Sequence, residues 1–345
     1  MRMSGALEVH MGLKAVPGRS QPRVGLVLGA GGVLGAAWMT GALPALQKRL
    51  PRPLGDLDLI VGTSAGSVLA AALRCGISID EMVAHQRGEA VGPLEASAVD
   101  GLTDGPWPPA PQLRLGSARL MLAMVTAPHR VHPGVLASAW LPLGRANHGR
   151  LHDMVHALHC HAYGVPVSAE PPAWVRDETW IVAVDYRSGR RAVFGRPGAP
   201  PARLPEAVVA SCSIPGWYQP AVIDGRRYVD GGVRSPTSLG MLARAGLDEV
   251  VVLAPMASVV ADRPRMPHEV LERQLRAVMT MTLLREVRAL RAAGIAVTVL
   301  TPGPEDLAVM GVNLMDPRRR RQVFETSLIT SAAELAGPAG RAAVA

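Results

Sequence analysis

The stretch LDLIVGTSAGSVLAAAL, residues 57–73, decides how the chain is read. An apolar run of strand length enters Gly62-Thr63-Ser64-Ala65-Gly66, and an alanine-rich run of helical length leaves it. A serine between glycines where a strand gives way to a helix is the arrangement of a nucleophile elbow. The reason is steric. The backbone must turn sharply to lift the hydroxyl above the sheet edge, and flanking glycines let strand and helix approach without Cβ clashes. The serine then stands at a helix N-terminus, where free N–H groups favour developing negative charge. An ordinary strand–helix turn with Ser64 as an incidental N-cap would use the same five residues. The placement between two apolar runs gives the pentapeptide its weight.

A second element lies upstream. RVGLVLGAGG, residues 23–32, reads as a buried strand running into the glycine loop Gly29-Ala30-Gly31-Gly32-Val33-Leu34-Gly35, with helical spacing after it. Acyl transfer needs N–H donors aimed at the oxyanion of a tetrahedral intermediate, and Gly31 and Gly32 can supply them, with the Ala65 N–H as a third. The rival reading, a dinucleotide fingerprint, fails on count. The sixth position from Gly29 is Leu34, where Gly or Ala is required, and the next strand ends in the elbow without a ribose-binding acid. A tight turn with glycines for packing stays open. The third element is YVDGGV, residues 228–233, in which Asp230 ends an apparent strand before Gly231-Gly232. Taken alone it is explained by an Asx-turn.

These three elements, in this order, resemble the patatin-like phospholipase family. The family pattern is Gly-Gly-Gly-x-Arg/Lys-Gly, then Gly-x-Ser-x-Gly, then Asp-Gly-Gly/Ala. Here it reads Ala30 to Gly35, Gly62 to Gly66 and Asp230-Gly231-Gly232. The approach VVASCSIPGWYQPAVIDGRRYVDGG is similar to the family's small-residue helix, Ile-Pro and hairpin, and the resemblance covers roughly residues 23–88 and 179–299. It implies a three-layer α/β fold and a serine acyl hydrolase acting on lipid esters, phospholipids or lysophospholipids. It implies a Ser-Asp dyad of Ser64 and Asp230 without histidine, an acyl-enzyme, and no cofactor or metal. Gly29, Gly35, Gly62, Gly66, Gly231 and Gly232 then belong to the motif framework. Two departures stand out. Ala30 replaces the first glycine, and Leu34 replaces the basic residue, which implies weaker activity or an apolar substrate. The alternatives are a Ser-His-Asp α/β-hydrolase esterase using His268, the one histidine after Asp230, or a catalytically silent lipid- or nucleotide-binding relative.

The rest of the chain supports an α/β class with a mostly parallel sheet flanked by helices. TWIVAVD (179–185) pairs with RAVFG (191–195), LPEAVVASCS is helical, and AVIDGRRYVDGG forms a hairpin about Asp224-Gly225. A helix starts near Ser78, a short one covers 236–245, and a long one covers about 268–293. Strands at EVVVLAP and IAVTVLTP flank that long helix, and a terminal helix falls around 319–335. Regularity fades over about 91–174, where prolines are dense, so that stretch reads as an irregular insert bordering the acyl groove. Its apolar segment ARLMLAMVTAPH reads equally as a lid or as packed core. The expected division is a disordered segment at 1–22, a catalytic domain at 23–310 containing the insert, and a C-terminal helix and tail at 311–345.

Composition narrows the partners. The 345 residues are 48% hydrophobic, with a net charge of +8 and a pI near 10.2. Only Lys14 and Lys48 are lysines, and the arginines are scattered apart from Arg318 to Arg321. This is the imprint of a GC-rich genome rather than of nucleic-acid binding. An anionic membrane surface remains a fitting peripheral partner. Three widely spaced cysteines, Cys75, Cys160 and Cys212, argue against a disulfide scaffold or zinc site and fit a reducing cytoplasm. Residues 1–22 lack the apolar core of a signal peptide, and no run of 18 apolar residues occurs. His148, His152, His156, His159 and His161 include i, i+4 spacings but bring no glutamate with them, so they read as a solvated helix stripe.

Overall fold

The sheet grows outward from β1 (Val24–Leu28), which is buried along its whole length. In the computed structural model, residues 21–94, 107–112, 114–126, 129, 131–260 and 267–337 are described. The segment read as a disordered start therefore lies outside the described residues up to residue 20. β2 (Leu59–Thr63) and β7 (Glu249–Leu253) run parallel to β1 on either side, and β8 (Ala296–Leu300) runs parallel to β7. β3 (Thr179–Asp185) continues the parallel set beyond β2, while β4 (Arg191–Phe194), β5 (Ala221–Ile223) and β6 (Arg226–Asp230) are antiparallel additions at that end. Strands that are apolar on both faces must be covered on both. Alternate residues divide accordingly. Leu26, Leu28, Ile181, Val251 and Leu253 enter one core, and Val27, Val182, Val250 and Val252 enter the other.

The larger core is roofed by α1 (Gly32–Gln47), α2 (Ala65–Arg74), α6 (Gly149–Tyr163), α7 (Leu204–Cys212) and α10 (Arg320–Ala336). The smaller core is covered by α8 (Pro267–Ala292), through Leu283, Val287 and Leu290, and by Leu239 and Leu242. The result is the expected three-layer α/β architecture. α3 (Ile79–Arg87) begins after Ser78, whose hydroxyl and Glu81 close a reciprocal capping box.

Two expectations meet a different structure. The stretch 91–174 is not irregular throughout. α6 lies within it and buries Leu151, Val155 and Leu158 in the main core, each worth roughly 1.5–3 kcal/mol. The terminal helix expected around 319–335 is α10, whose Val323 and Phe324 pack in that same core and whose Ser327 Oγ donates to Trp38 O at 2.7 Å. The short helix expected at 236–245 is a 3-10 segment over Leu239–Arg244. Glu286 of α8 collects the hydroxyls of Ser235 and Thr237 and the Leu239 N–H, each at 3.0 Å. These bonds compete with an α-helical start, and Ser238 is left at φ 56°.

One register feature positions the site. β3 is longer than β2: Thr63 pairs with Val182, and three residues of β3 follow. β4 covers one edge of β3 from Ile181 to Val184. β6 pairs with Ala183 to Asp185 and must therefore lie on the other edge, the one β2 has just vacated. β6 thus runs head-on towards the end of β2. Its last residue, Asp230, pairs with Ala183, the neighbour of the residue that faces Thr63.

Candidate active site

Ser64 sits at φ 52° and ψ −124°, a conformation costing a non-glycine residue roughly 1–3 kcal/mol. The surrounding bonds fix it there. Its N–H donates to Ser211 Oγ at 2.8 Å, and Ser211 Oγ in turn donates to Val182 O at 2.6 Å. Its carbonyl accepts from Ser67 N at 2.7 Å and from Ser67 Oγ at 2.6 Å. The turn is tight enough to admit no side chain at Gly66, where a Cβ would stand 2.0 Å from Leu28 O. Gly62, across the elbow, faces the Ser67 Cα in the same way. Gly66→Ala is accordingly expected to destabilise the fold by roughly 3 kcal/mol or more in urea unfolding. A loss under about 1 kcal/mol would contradict this packing.

Asp230 is only 5% exposed and Ser64 only 4%. The Asp230 carboxylate accepts the Gly232 N–H at 2.7 Å. Burial pushes its pKa up to about 6, against the pull of the nearby Ser64 hydroxyl and of the Gly232 N–H. Asp230 N is tied to Ser213 O at 2.9 Å, so the acid and the end of α7 are fixed together. Cys212 beside it is buried, and burial first and the Asp230 charge second raise its thiol pKa. It is an inert neighbour rather than a rival nucleophile.

Gly32 and Ala65 open α1 and α2, so neither N–H has an intrahelical acceptor. Among the described residues, the N–H groups of Gly31, Gly32 and Ala65 are taken by no acceptor. Gly32, at φ 59°, and Ala65 border the cleft beside Ser64. Gly31 stands behind them against Pro255. Gly29 and Gly35 hold the loop through Gly29 N to Leu253 O at 2.9 Å and Gly35 N to Gly31 O at 2.8 Å. Gly231 packs on Val182 and Thr63 at the meeting of β6 and β2.

The cleft over Ser64 has a volume of about 130 Å³. Val33, Ala36, Val68, Leu151, Ile214 and Met315 make it apolar, and Gln86, His148 and Arg320 add polar groups. His148 is the histidine that reaches this cleft. Its Nε2 pairs with Cys212 O at 3.0 Å, its ring stacks on Tyr218 at 3.8 Å, and burial lowers its pKa to about 4. It is a neutral wall residue. Among the described residues no histidine hydrogen-bonds to Ser64 or Asp230. His268 falls in the first turn of α8, and its side chain lies outside the described residues. Of the other members of the histidine run, His152 and His156 stack at 6.3 Å between ring centroids. His159 is buried edge-on to Tyr163, and His156 pairs with Val167 O at 3.0 Å.

Leu34, where the family carries a basic residue, is wholly buried in the main core and so leaves no apolar group in the cleft. A cation arrives from elsewhere. Arg320, at the start of α10, lines the cleft and donates to Gln86 Oε1 at 3.0 Å.

The family model for patatin-like phospholipases matches residues 26–243, from β1 to beyond the Asp230 motif. The chain belongs to this family. The uncharacterized NTE family proteins of Mycobacterium bovis and Mycobacterium tuberculosis are 26% identical over 278 residues, 80% of this chain and 61% of theirs. The chain spans about 61% of the length of these curated relatives. Among solved structures, VipD from Legionella pneumophila aligns at 13% identity over 91% of this chain and 67% of its own, with a TM-score of 0.42. The type III effector protein ExoU aligns at 15% identity over 94% of this chain and 54% of its own, also at 0.42. β7, α8, β8 and α10 follow the family match and complete the patatin-like domain's sheet and cores in this chain.

Proposed function

We propose that the protein is a serine acyl hydrolase of lipid esters, phospholipids or lysophospholipids, working through an acyl-enzyme with Ser64 as nucleophile and Asp230 as its base. The carrying observation is the Ser64 hydroxyl, on a strained strand-to-helix elbow at the floor of an apolar cleft, close enough to the buried Asp230 carboxylate to hold its pKa down. Ser64 Oγ attacks the ester carbonyl carbon while its proton passes to Asp230. The carbonyl oxygen becomes an oxyanion and takes the open N–H groups of Gly32 and Ala65, with Gly31 close behind. The tetrahedral species collapses, the C–O bond to the alcohol breaks, and Asp230 returns the proton to the leaving oxygen. Water then attacks the acyl carbon, giving its proton to Asp230, which hands it back to Ser64 Oγ as the fatty acid leaves.

The cleft wall supports a hydrocarbon substrate. Each buried methylene is worth about 0.8 kcal/mol, so six of them contribute roughly 5 kcal/mol of binding. The test is a fluorophosphonate probe followed by peptide mass spectrometry. The expected adduct is on Ser64, and Ser64→Ala is expected to remain unlabelled. A folded wild-type protein that takes up no probe, or labels at another serine, would overturn the assignment.

A further inference from the structure

The sheet edge that presents Ser64 also presents an apolar and basic surface that the proposed chemistry does not use. α4 (Ala118–Thr126) is anchored by Leu120, which packs with Val135, Val184 and Tyr186. Its outer face leaves Leu122 and Val125 in water, at 62% and 81% exposure. Arg119 is exposed one turn before Leu122, on the same face. Trp140, half exposed, lies against this helix with its indole N–H on Met124 Sδ at 3.3 Å. The strip continues to Leu141 and Leu115, which adjoin through Gly116 N to Leu141 O at 3.1 Å and the bridge from Leu115 to Pro142. Contiguous exposed apolar side chains of this kind mark an interaction surface.

The basic part adjoins it. Arg119, Arg187, Arg226 and Arg227 line one shallow cleft together with Asp185. Asp185 is already engaged by the N–H groups of Arg187 and Ser188 and by Arg226 at 3.5 Å. With Asp224 at the hairpin tip, two carboxylates stand against four guanidinium groups, and the cluster is net positive.

Both parts lie on the catalytic edge. β3 is parallel to β2 and outlasts it, so the turn after Asp185 projects beyond the level of the elbow. Tyr228 pairs with Asp185, and Arg226, Arg227 and the hairpin tip lie further out still. Leu120 reaches this turn, its Cδ2 standing 3.2 Å from where a Cβ on Gly189 would be. The apolar strip also leads into the cleft. The chain runs from Trp140 and Leu141 past Ala146, whose N–H donates to Trp217 O at 3.2 Å, to His148 in the cleft wall.

Building on the lipid-ester reading of that cleft, we propose that this face docks the protein on an anionic phospholipid bilayer. The four arginines meet headgroup phosphates, and Leu122, Val125 and Trp140 enter the boundary of the acyl region. The mouth of the Ser64 cleft is thereby set at the interface. The occupant follows from charge complementarity and from the pairing of arginine with tryptophan and aliphatic side chains, the make-up of an interfacial surface. An isologous dimer through this face would bring two positive clusters towards each other.

The test is cosedimentation of the full chain with phosphatidylcholine vesicles, with and without phosphatidylglycerol. Wild type and Ser64→Ala are both expected to sediment with the anionic vesicles and to be released by salt. Arg119→Glu/Arg226→Glu should weaken partitioning by about twentyfold or more, at roughly fivefold for each arginine lost. Leu122→Asp/Val125→Asp should weaken it by a similar factor. Both double variants should hydrolyse a soluble short-chain ester at the wild-type rate, which separates lost docking from lost folding. Undiminished binding of either variant overturns the proposal, as does equal wild-type binding to neutral vesicles. A dimer that the variants dissociate, with no vesicle binding, overturns it in favour of a second copy. Because Ser64→Ala is itself a binding sample, failure of hydrolysis leaves the docking result standing. Failure of docking with Ser64 still labelled leaves the hydrolase reading standing.

Discussion

Ser64→Ala is expected to lower ester hydrolysis by roughly 10⁴-fold or more while leaving the fold within about 1 kcal/mol of wild type. The two halves of this expectation come from different atoms of one residue. The bonds that hold the elbow use the backbone of Ser64: its N–H on Ser211 and its carbonyl under Ser67. Alanine keeps both and is no more strained than serine at φ 52°. What disappears is the hydroxyl that would attack the carbonyl, and with it one of the two groups that hold the Asp230 pKa down. That carboxyl then titrates higher still, and protonation limits the cost of the lost partner. The checks are turnover of a short-chain ester and the midpoint of urea unfolding. Retention of about a hundredth of the activity would remove Ser64 from the nucleophile's role. A large fall in the unfolding midpoint would mean that the hydroxyl serves the fold.

The parts of this site legible in the sequence are those set by local sterics. A strand running into Gly62-Thr63-Ser64-Ala65-Gly66 and then a helix leaves the backbone few options, because a side chain at Gly66 collides with Leu28 O. The Asp224-Gly225 hairpin tip was legible for the same reason, and both residues do take positive φ, at 47° and 68°. What could not be read was set at a distance. Nothing local in YVDGGV says that β6 fills the edge vacated by β2, since that depends on the unequal lengths of β2 and β3. The apolar spacing of α6 was present at Leu151, Val155 and Leu158, but five interleaved histidines and flanking prolines obscured it. His148 looks like its four neighbours in sequence, and only the stacked Tyr218 and the Cys212 carbonyl set it apart. Arg320 reaches the cleft because α10 packs back on α1, a pairing across nearly the whole chain. Of the three oxyanion donors that the sequence suggests, Gly32 and Ala65 border the cleft and Gly31 stands behind them. Which N–H faces inward follows from the backbone angle of each glycine and not from their number.

Asp230→Asn is expected to abolish turnover and, at neutral pH, to make the protein more stable. The carboxyl has a pKa of about 6 in the folded chain against an ordinary 3.8, and desolvation is the leading cause. The folded state therefore binds this proton more tightly than the unfolded state does. The stability that follows is fully present below about pH 3.8 and is lost as the pH rises through about 6, where it amounts to roughly 3 kcal/mol. Asparagine carries no charge at any of these pH values, and its amide oxygen can still accept the Gly232 N–H. The variant should match wild type near pH 4 and exceed it above pH 7 by up to roughly 3 kcal/mol in chemical unfolding. Activity runs the other way over the same window. Only the ionised carboxylate can take the Ser64 proton, so wild-type kcat/KM should climb to a plateau as the pH passes about 6. A base with its pKa near the working pH is better suited to this task than one at 3.8. The asparagine amide can donate to Ser64 Oγ but cannot accept its proton, and a loss of roughly 10⁴-fold is expected. His268→Asn, by contrast, should leave both the rate and the limb near pH 6 nearly unchanged. An equal loss in His268→Asn, or a wild-type profile flat through pH 6, would assign the proton to histidine. The same buried carboxylate thus lowers stability at the pH where it becomes a base. Loss of activity together with a gain in stability in one variant separates a catalytic acid from a structural one, because a structural Asx-turn residue would lose stability on substitution.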